Sequence, residues 1–208
     1  MTHNGNDASA PSLPSIHLWA LAGELANGIT RVKGVASKGV RLGNWLSVRQ
    51  AQTLLNAPDI ITTKGLRDRA ILAVLLGCGL RRSEVAALTV GHVQQRDGRW
   101  CIVDLVGKHG RVRTIPVPTW VKVATDAWTA TAGVADGYVF RPLNRGGQVQ
   151  GVGMSEKVVW QLLQPYAAAA GVPGIAPHDC RRYAESRTMP HGLNSGPLAA
   201  WAEQTDSA

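Results

Sequence analysis

Apolar residues recur at helical spacing in several stretches of the chain. Leu18, Leu21 and Leu25 share one face of residues 15–27, which predicts an amphipathic helix. In residues 64–79 the same period predicts a strong helix that ends at its glycines. The predicted buried stripe of this second helix comprises Leu66, Ala70, Ile71, Val74 and Leu75.

Further helix signals lie on both sides of this segment. Ser47, followed three residues later by Gln50, predicts a capping box for a helix that closes at Pro58. Residues 119–133 and 156–171 return to helical spacing later in the chain. Helices therefore account for most of the predicted regular structure.

Between these helices the hydrophobic period changes to two. Residues 99–107 and 111–118 alternate like strands, and Asp97-Gly98 is a turn signal in front of the first. The sequence "GKHG", 107–110, is the predicted turn between them. The chain is therefore predicted to be mainly α with a small antiparallel β-sheet, an α+β fold.

The charge balance adds a partner to this fold. The sequence has 208 residues, 22 Lys and Arg against 14 Asp and Glu, and a net charge of +8. Such a surface favours a polyanionic partner, most often nucleic acid and less often an anionic membrane face. A basic surface that only maintains solubility is the alternative.

Targeting and redox signals favour a cytoplasmic protein. No apolar run approaches the ~18 residues of a transmembrane helix. Residues 1–14 lack the pattern of a secretory signal and are predicted to be a disordered tail. Cys78, Cys101 and Cys180 show neither disulfide nor zinc spacing, so buried apolar roles in a reducing compartment are expected for all three.

Three basic clusters lie at the ends of predicted elements. Arginine offers a planar fork to phosphate oxygens, while lysine and histidine can transfer a proton. Together they are suited to hold a phosphodiester and protonate its leaving oxygen, although solvated charges at turns are the simpler interpretation. No paired carboxylates indicate a metal site, and no Walker loop is present. The clusters are Arg81-Arg82 at a short helix, Lys108-His109 with Arg111 and Arg113 in the hairpin turn, and His178 with Arg181-Arg182 preceding a helix.

At these clusters the chain resembles the tyrosine recombinases of the phage-integrase family. "LLGCGLRRSEVAALTVGHV" resembles the first arginine box, which implies that Arg81 contacts the scissile phosphate and that Glu84 is the acidic position after it. "VGKHGRVRTIPVP" resembles the family's β-hairpin and implies that Lys108 is the general acid. "HDCRR" resembles the His-x-x-Arg box and implies roles for His178 and Arg181.

The resemblance implies a domain order and a mechanism. Residues 46–182 correspond to the catalytic domain, and residues 15–45 to the last helix of an N-terminal DNA-clamping domain plus a basic linker. In the family a tyrosine hydroxyl attacks a phosphate of double-stranded DNA, no metal or nucleotide cofactor is consumed, and members assemble on DNA as homo-oligomers. The further DNA contacts that we expect are Arg31, Lys33, Arg82, His109, Arg111 and Arg182.

The resemblance ends at Arg182. Residues 183–208 contain two prolines and no helical stripe of the expected length, and Tyr183 adjoins the arginine box instead of following it. We therefore find no nucleophile and expect a monomer that binds DNA without cleaving it. Our explanation is a frameshift or premature stop, which coding DNA lacking a Gly-His box and a tyrosine in another frame would contradict. The alternatives are a non-catalytic DNA-binding module or regulator and an RNA-binding or anionic-surface protein.

Overall fold

The structure is a computed structural model that describes residues 44–106, 110 and 112–188. The predicted fold, mainly α with a small antiparallel sheet, is confirmed for this part of the chain. The predicted helix over 15–27 lies outside the described residues, as do Arg31, Lys33, Lys108, His109 and Arg111. The described helices are α1 (Val48–Asn56), α2 (Thr63–Ala73), α3 (Arg82–Ala87), α4 (Thr119–Ala132), α5 (Glu156–Ala169) and α6 (Pro177–Thr188).

Helix α2 lies at the centre of the hydrophobic core and continues into one π-helical turn, Val74–Cys78. The predicted stripe was too narrow, because a helix enclosed by other elements is apolar on every side. Leu66 is only half-buried, whereas Arg67 and Asp68 are buried. The buried apolar residues of this segment are Ala70, Ile71, Leu72, Ala73, Val74, Leu75, Leu76 and Cys78.

A buried carboxylate ties α2 to α5. Asp68 accepts hydrogen bonds from Lys64 Nζ at 2.6 Å, from Arg67 Nε at 2.9 Å and Nη2 at 2.8 Å, and from Tyr166 Oη at 2.8 Å. Burial and the contact with Asp68 raise the pKa of Tyr166, so its hydroxyl stays a hydrogen-bond donor to the carboxylate. The buried charges of α2 are thereby paired, as buried charges in proteins generally are.

The sheet has three antiparallel strands in the order β1 (Val93–Arg96), β2 (Arg99–Val106) and β3 (Val112–Pro116). The first strand was not predicted, because its four polar and apolar residues give no alternation. Asp97 and Gly98 connect it to β2 with φ values of 49° and 73°, the conformation of a tight hairpin turn.

Strand β2 contains an irregularity that the sequence did not predict. Ile102 pairs with Ile115 and Leu105 pairs with Arg113, so β2 has one more residue than β3 between the two pairs. Asp104 lies in this bulge with φ 56°, an uncommon conformation for a residue other than glycine. A bulge bends a strand and redirects its side chains, which changes the direction of the outer part of the hairpin.

Helix α6 packs against the π-helical turn at Gly79. Gly79 has φ 61°, and a Cβ atom there would lie 3.1 Å from Cβ of Ala184. The prediction that the His178 cluster precedes a helix was wrong, because these residues form the first turns of α6. Proline fits the first position of a helix, and the Asp179 carboxylate accepts from the N–H of Ala176 at 3.0 Å. The helix continues without a break through residue 182, where the sequence analysis ended the catalytic domain.

The cysteines differ in burial. Cys78 and Cys180 are buried, and burial raises the pKa of each thiol to about 12. Cys101 is only half-buried, so the prediction of a buried role was wrong for this residue.

We expect Cys101 to react first with a thiol reagent such as Ellman's reagent at pH 8. The thiolate is the reacting species, and a thiol with a pKa near 12 is almost entirely protonated at that pH. The folded protein should release about one equivalent of chromophore quickly, and denaturant should expose the other two thiols. Rapid reaction in a Cys101→Ser variant would contradict this assignment.

Candidate functional site

The first arginine box places Arg81 at the start of α3. Its backbone is extended, with φ −70° and ψ 154°, and its N–H donates to Oε2 of Glu84 at 2.8 Å. Its Nη1 donates to Oε1 of the same carboxylate at 2.8 Å. The side chain remains 43% exposed. The guanidinium is therefore held by one carboxylate while part of its donor edge faces solvent.

Glu84 also binds an arginine from the sheet. Only 6% of its side chain is exposed, and Oε2 accepts from Nη2 of Arg113 at 2.6 Å. The sequence analysis grouped Arg113 with the hairpin cluster but gave it no role. Its position on β3 was the available signal, because it shares the inward face with Ile115, which packs against the core.

The second arginine box brings Arg181 to the same segment of backbone as Arg81. Nη1 of Arg181 donates to the carbonyl oxygen of Gly79 at 2.9 Å, and Nη2 forms an ion pair with Glu185 at 2.7 Å. The side chain is 16% exposed. Arg81 and Arg181 come from positions far apart in sequence and are both anchored on residues 79–81.

His178 lies on the first turn of α6 and is exposed. Residues three apart are neighbours on a helix surface, so His178 and Arg181 lie on adjoining positions of α6. The structure thus groups three of the four residues that the resemblance assigned to catalysis, while the fourth, Lys108, lies outside the described residues.

The second arginine of each pair contacts an acidic residue. Nε of Arg82 lies 3.3 Å from Oε2 of Glu156, and both side chains are about half-exposed. Nη1 of Arg182 lies 3.5 Å from Oδ1 of the buried Asp179. Both remain predicted DNA contacts, with their side chains oriented by these carboxylates.

The hairpin approaches the site through its described strands. Val106 pairs with Val112, and Leu105 with Arg113, at the ends of β2 and β3 that flank residues 107–111. Because Arg113 contacts Glu84, these strand ends lie beside the carboxylate that holds Arg81. The predicted neighbourhood of the hairpin and the first arginine box is therefore present in the described residues.

All three tyrosines of the chain lie within the described residues. Tyr138 is exposed and forms an isolated bridge with Thr89, and Tyr166 is held by Asp68. Tyr183 is 4% exposed, and its buried hydroxyl has no hydrogen-bond partner among the described residues. Burial raises the pKa of Tyr183, while the positive charge of Arg187 acts in the opposite direction.

We expect Tyr183→Phe to leave the protein as stable as the wild type or up to ~1 kcal/mol more stable, because it removes an unsatisfied buried hydroxyl and preserves the ring. Urea unfolding followed by circular dichroism measures the change. A loss larger than ~1 kcal/mol would show that the hydroxyl makes a stabilising hydrogen bond.

Two further features of the described part of the chain narrow the chemistry. No group of three His, Cys, Asp or Glu side chains within it is arranged to hold a metal ion. Nor is any of its helices both long enough and apolar enough to cross a bilayer.

Comparison with known proteins defines the class. The sequence model of the Phage integrase family matches residues 44–199. The XerD tyrosine recombinase of Yersinia pestis is 31% identical over 163 residues, 74% of this chain and 51% of the relative. That of Ralstonia nicotianae is 30% identical over 184 residues, 85% of this chain and 57% of the relative. This chain belongs to the phage integrase family, the tyrosine recombinases, and spans about half the length of these curated relatives.

Solved structures share the fold. The XerA recombinase superposes with a TM-score of 0.54 at 19% identity, covering 76% of this chain and 58% of that chain. The XerH site-specific recombinase in a pre-cleavage complex with its difH substrate superposes with a TM-score of 0.55 at 14% identity, covering 91% of this chain and 63% of that chain. At these identities the likeness concerns the fold alone.

Proposed function

We propose that this chain binds the backbone of double-stranded DNA, with Arg81 and Arg181 on one phosphate, as a site-specific recombinase does. The observation that carries the proposal is the anchoring of both guanidinium groups on residues 79–81 by acceptors that fix their positions. Each guanidinium has five N–H donors, so these contacts leave further donors for an anion. The DNA-bound XerH structure, which has the same fold, supports DNA as the ligand.

Fixed arginines suit the reaction that the family performs. Attack on a phosphodiester concentrates negative charge on the phosphate oxygens, and donors that are already in place stabilise this charge without reorganisation. Each charge-assisted contact is worth ~1.5–3 kcal/mol. In this proposal Lys108 protonates the leaving oxygen, and His178 donates a hydrogen bond to the phosphate beside Arg181.

We further propose that this 208-residue chain alone does not form a covalent bond with DNA. Tyr183 is buried, and Tyr166 donates its hydroxyl proton to Asp68. Tyr138 bridges Thr89, beyond the end of α3 opposite Arg81, and a helix of this length is roughly 9 Å long. None of the three hydroxyl groups is placed for in-line attack on a phosphate at Arg81.

Binding to duplex DNA tests the first part of the proposal. We expect affinity to fall steeply with salt and to vary little with sequence, because phosphate contacts release counterions and read no bases. Fluorescence anisotropy over a salt series with duplex DNA and duplex RNA of equal length measures this. Salt-insensitive binding would contradict the proposal, and a preference for RNA would favour the RNA-binding alternative.

A nicked suicide substrate tests the second part. Such a substrate traps any protein–DNA bond, and we expect no adduct that survives detergent electrophoresis. The same samples, run under native conditions, must show that the DNA was bound. A covalent adduct that disappears in a Tyr138→Phe, Tyr166→Phe or Tyr183→Phe variant would overturn the claim and identify the nucleophile.

A further inference from the structure

One buried carboxylate joins two elements of the candidate site. Glu84 receives Arg81 from its own helix and Arg113 from β3, which is 29 residues away in sequence. Oε1 accepts from Nη1 of Arg81, while Oε2 is shared between the N–H of Arg81 and Nη2 of Arg113. The carboxylate cannot rotate without losing at least one of these three hydrogen bonds.

The charges of this cluster do not cancel. Glu84 and Arg81 alone form a neutral pair, and a neutral pair attracts a phosphate weakly. Arg113 places a second guanidinium on the same carboxylate, so the three groups carry one net positive charge. The exposed member is Arg81, at 43%, compared with 28% for Arg113.

Arg113 is built into the sheet and is not a solvated surface charge. Its Nε is buried and has no hydrogen-bond partner among the described residues. It pairs with Leu105 just beyond the bulge in β2, which sets the direction of this part of the hairpin. An unsatisfied buried donor costs stability, so the position is not explained by stability alone.

We propose that Arg113 is a positioning residue that acts on the phosphate through Glu84. This inference rests on the proposed function, since it concerns the same phosphate site. Arg113 takes up the charge of the carboxylate and holds Glu84 in one orientation, so that the Arg81 guanidinium keeps both its direction and its attraction for an anion. It also fixes the end of the β2–β3 hairpin against the first arginine box.

A double-mutant cycle on duplex binding tests the indirect action. Arg113→Met is expected to weaken binding about five- to tenfold, because Glu84 then neutralises Arg81. Glu84→Gln removes the carboxylate charge, so in that background Arg113→Met should change affinity less than twofold. Equal losses in both backgrounds would mean that Arg113 contacts DNA directly, and no loss in the wild-type background would mean that it has no role; either overturns the proposal.

The matched control is Arg96→Met, which removes the same charge from β1 of the same sheet, where Arg96 contacts Gln94. It should weaken binding less than twofold. A loss equal to that of Arg113→Met would show that only the net charge of the protein matters, and would also overturn the proposal.

A second readout does not depend on DNA. The Nε–Hε signal of Arg81 in a ¹⁵N spectrum, identified by its loss in Arg81→Lys, should shift in Arg113→Met and remain in place in Arg96→Met. An unchanged signal in Arg113→Met would refute the coupling even if DNA binding is confirmed. If wild-type protein does not bind DNA, the proposed function fails, and this signal still decides whether Arg113 positions Arg81.

Discussion

Replacing Arg81 with alanine is expected to weaken binding to duplex DNA about tenfold to a hundredfold at low salt without unfolding the protein. A lost charge-assisted hydrogen bond to phosphate costs ~1.5–3 kcal/mol, and ~1.4 kcal/mol corresponds to a factor of ten. The fold should survive, because the Arg81 side chain is partly exposed and Glu84 keeps its bond to Arg113. Fluorescence anisotropy with a labelled duplex measures the affinity, and thermal unfolding measures the stability.

Arg96→Ala is the matched control for this prediction. Arg96 is paired with Arg99 at the start of β2, and Val106 at the other end borders the hairpin turn. At the usual rise per residue these ends are roughly 20 Å apart. The control should lose less than a factor of two in affinity, and an equal loss in both variants would remove Arg81 from the site.

Asp68→Ala is expected to lower the free energy of unfolding by ~3–5 kcal/mol. The change removes the acceptor for Lys64, Arg67 and Tyr166 at once. Arg67 is buried and would keep its charge without a counterion, which is the costly outcome when one partner of a buried pair is removed. Urea unfolding of the purified domain measures the difference.

Asp126→Ala provides the comparison on an exposed helix surface. Asp126 accepts from Lys122 at 2.6 Å with the same spacing of four residues as Asp68 and Lys64, but its side chain is half-exposed. An exposed pair of this kind contributes under ~1 kcal/mol. If both alanine variants lose similar stability, burial of the Asp68 network does not have the effect assigned to it.

Local sequence signals predicted much of the fold, and they failed where tertiary context decides. The Ser47–Gln50 capping box is present, with both reciprocal hydrogen bonds formed. Strand β1 was missed because its sequence has no alternating pattern and it forms by pairing with β2. The start of α6 was missed because the proline before His178 reads as a break, although proline is favoured at the first position of a helix.

The site was predicted in part. The arginine boxes identified Arg81 and Arg181 through resemblance, and the structure anchors both on one short segment. The contact between Arg113 and Glu84 was beyond the sequence, since it depends on the bulge at Asp104, which interrupts the period of two. The roles of Lys108, His109, Arg111, Arg31 and Lys33 stay predictions.

The claim that Arg81 and Arg181 share one phosphate is tested most directly by the salt dependence of duplex binding. Each neutralised phosphate adds about 0.9 to the slope of log affinity against log salt. The R81A and R181A variants should keep most of the wild-type slope, because the remaining arginine still neutralises the phosphate. The double variant should lose about 0.9, the contribution of one phosphate. A loss of about 1.8 would place the two arginines on separate phosphates and contradict the account.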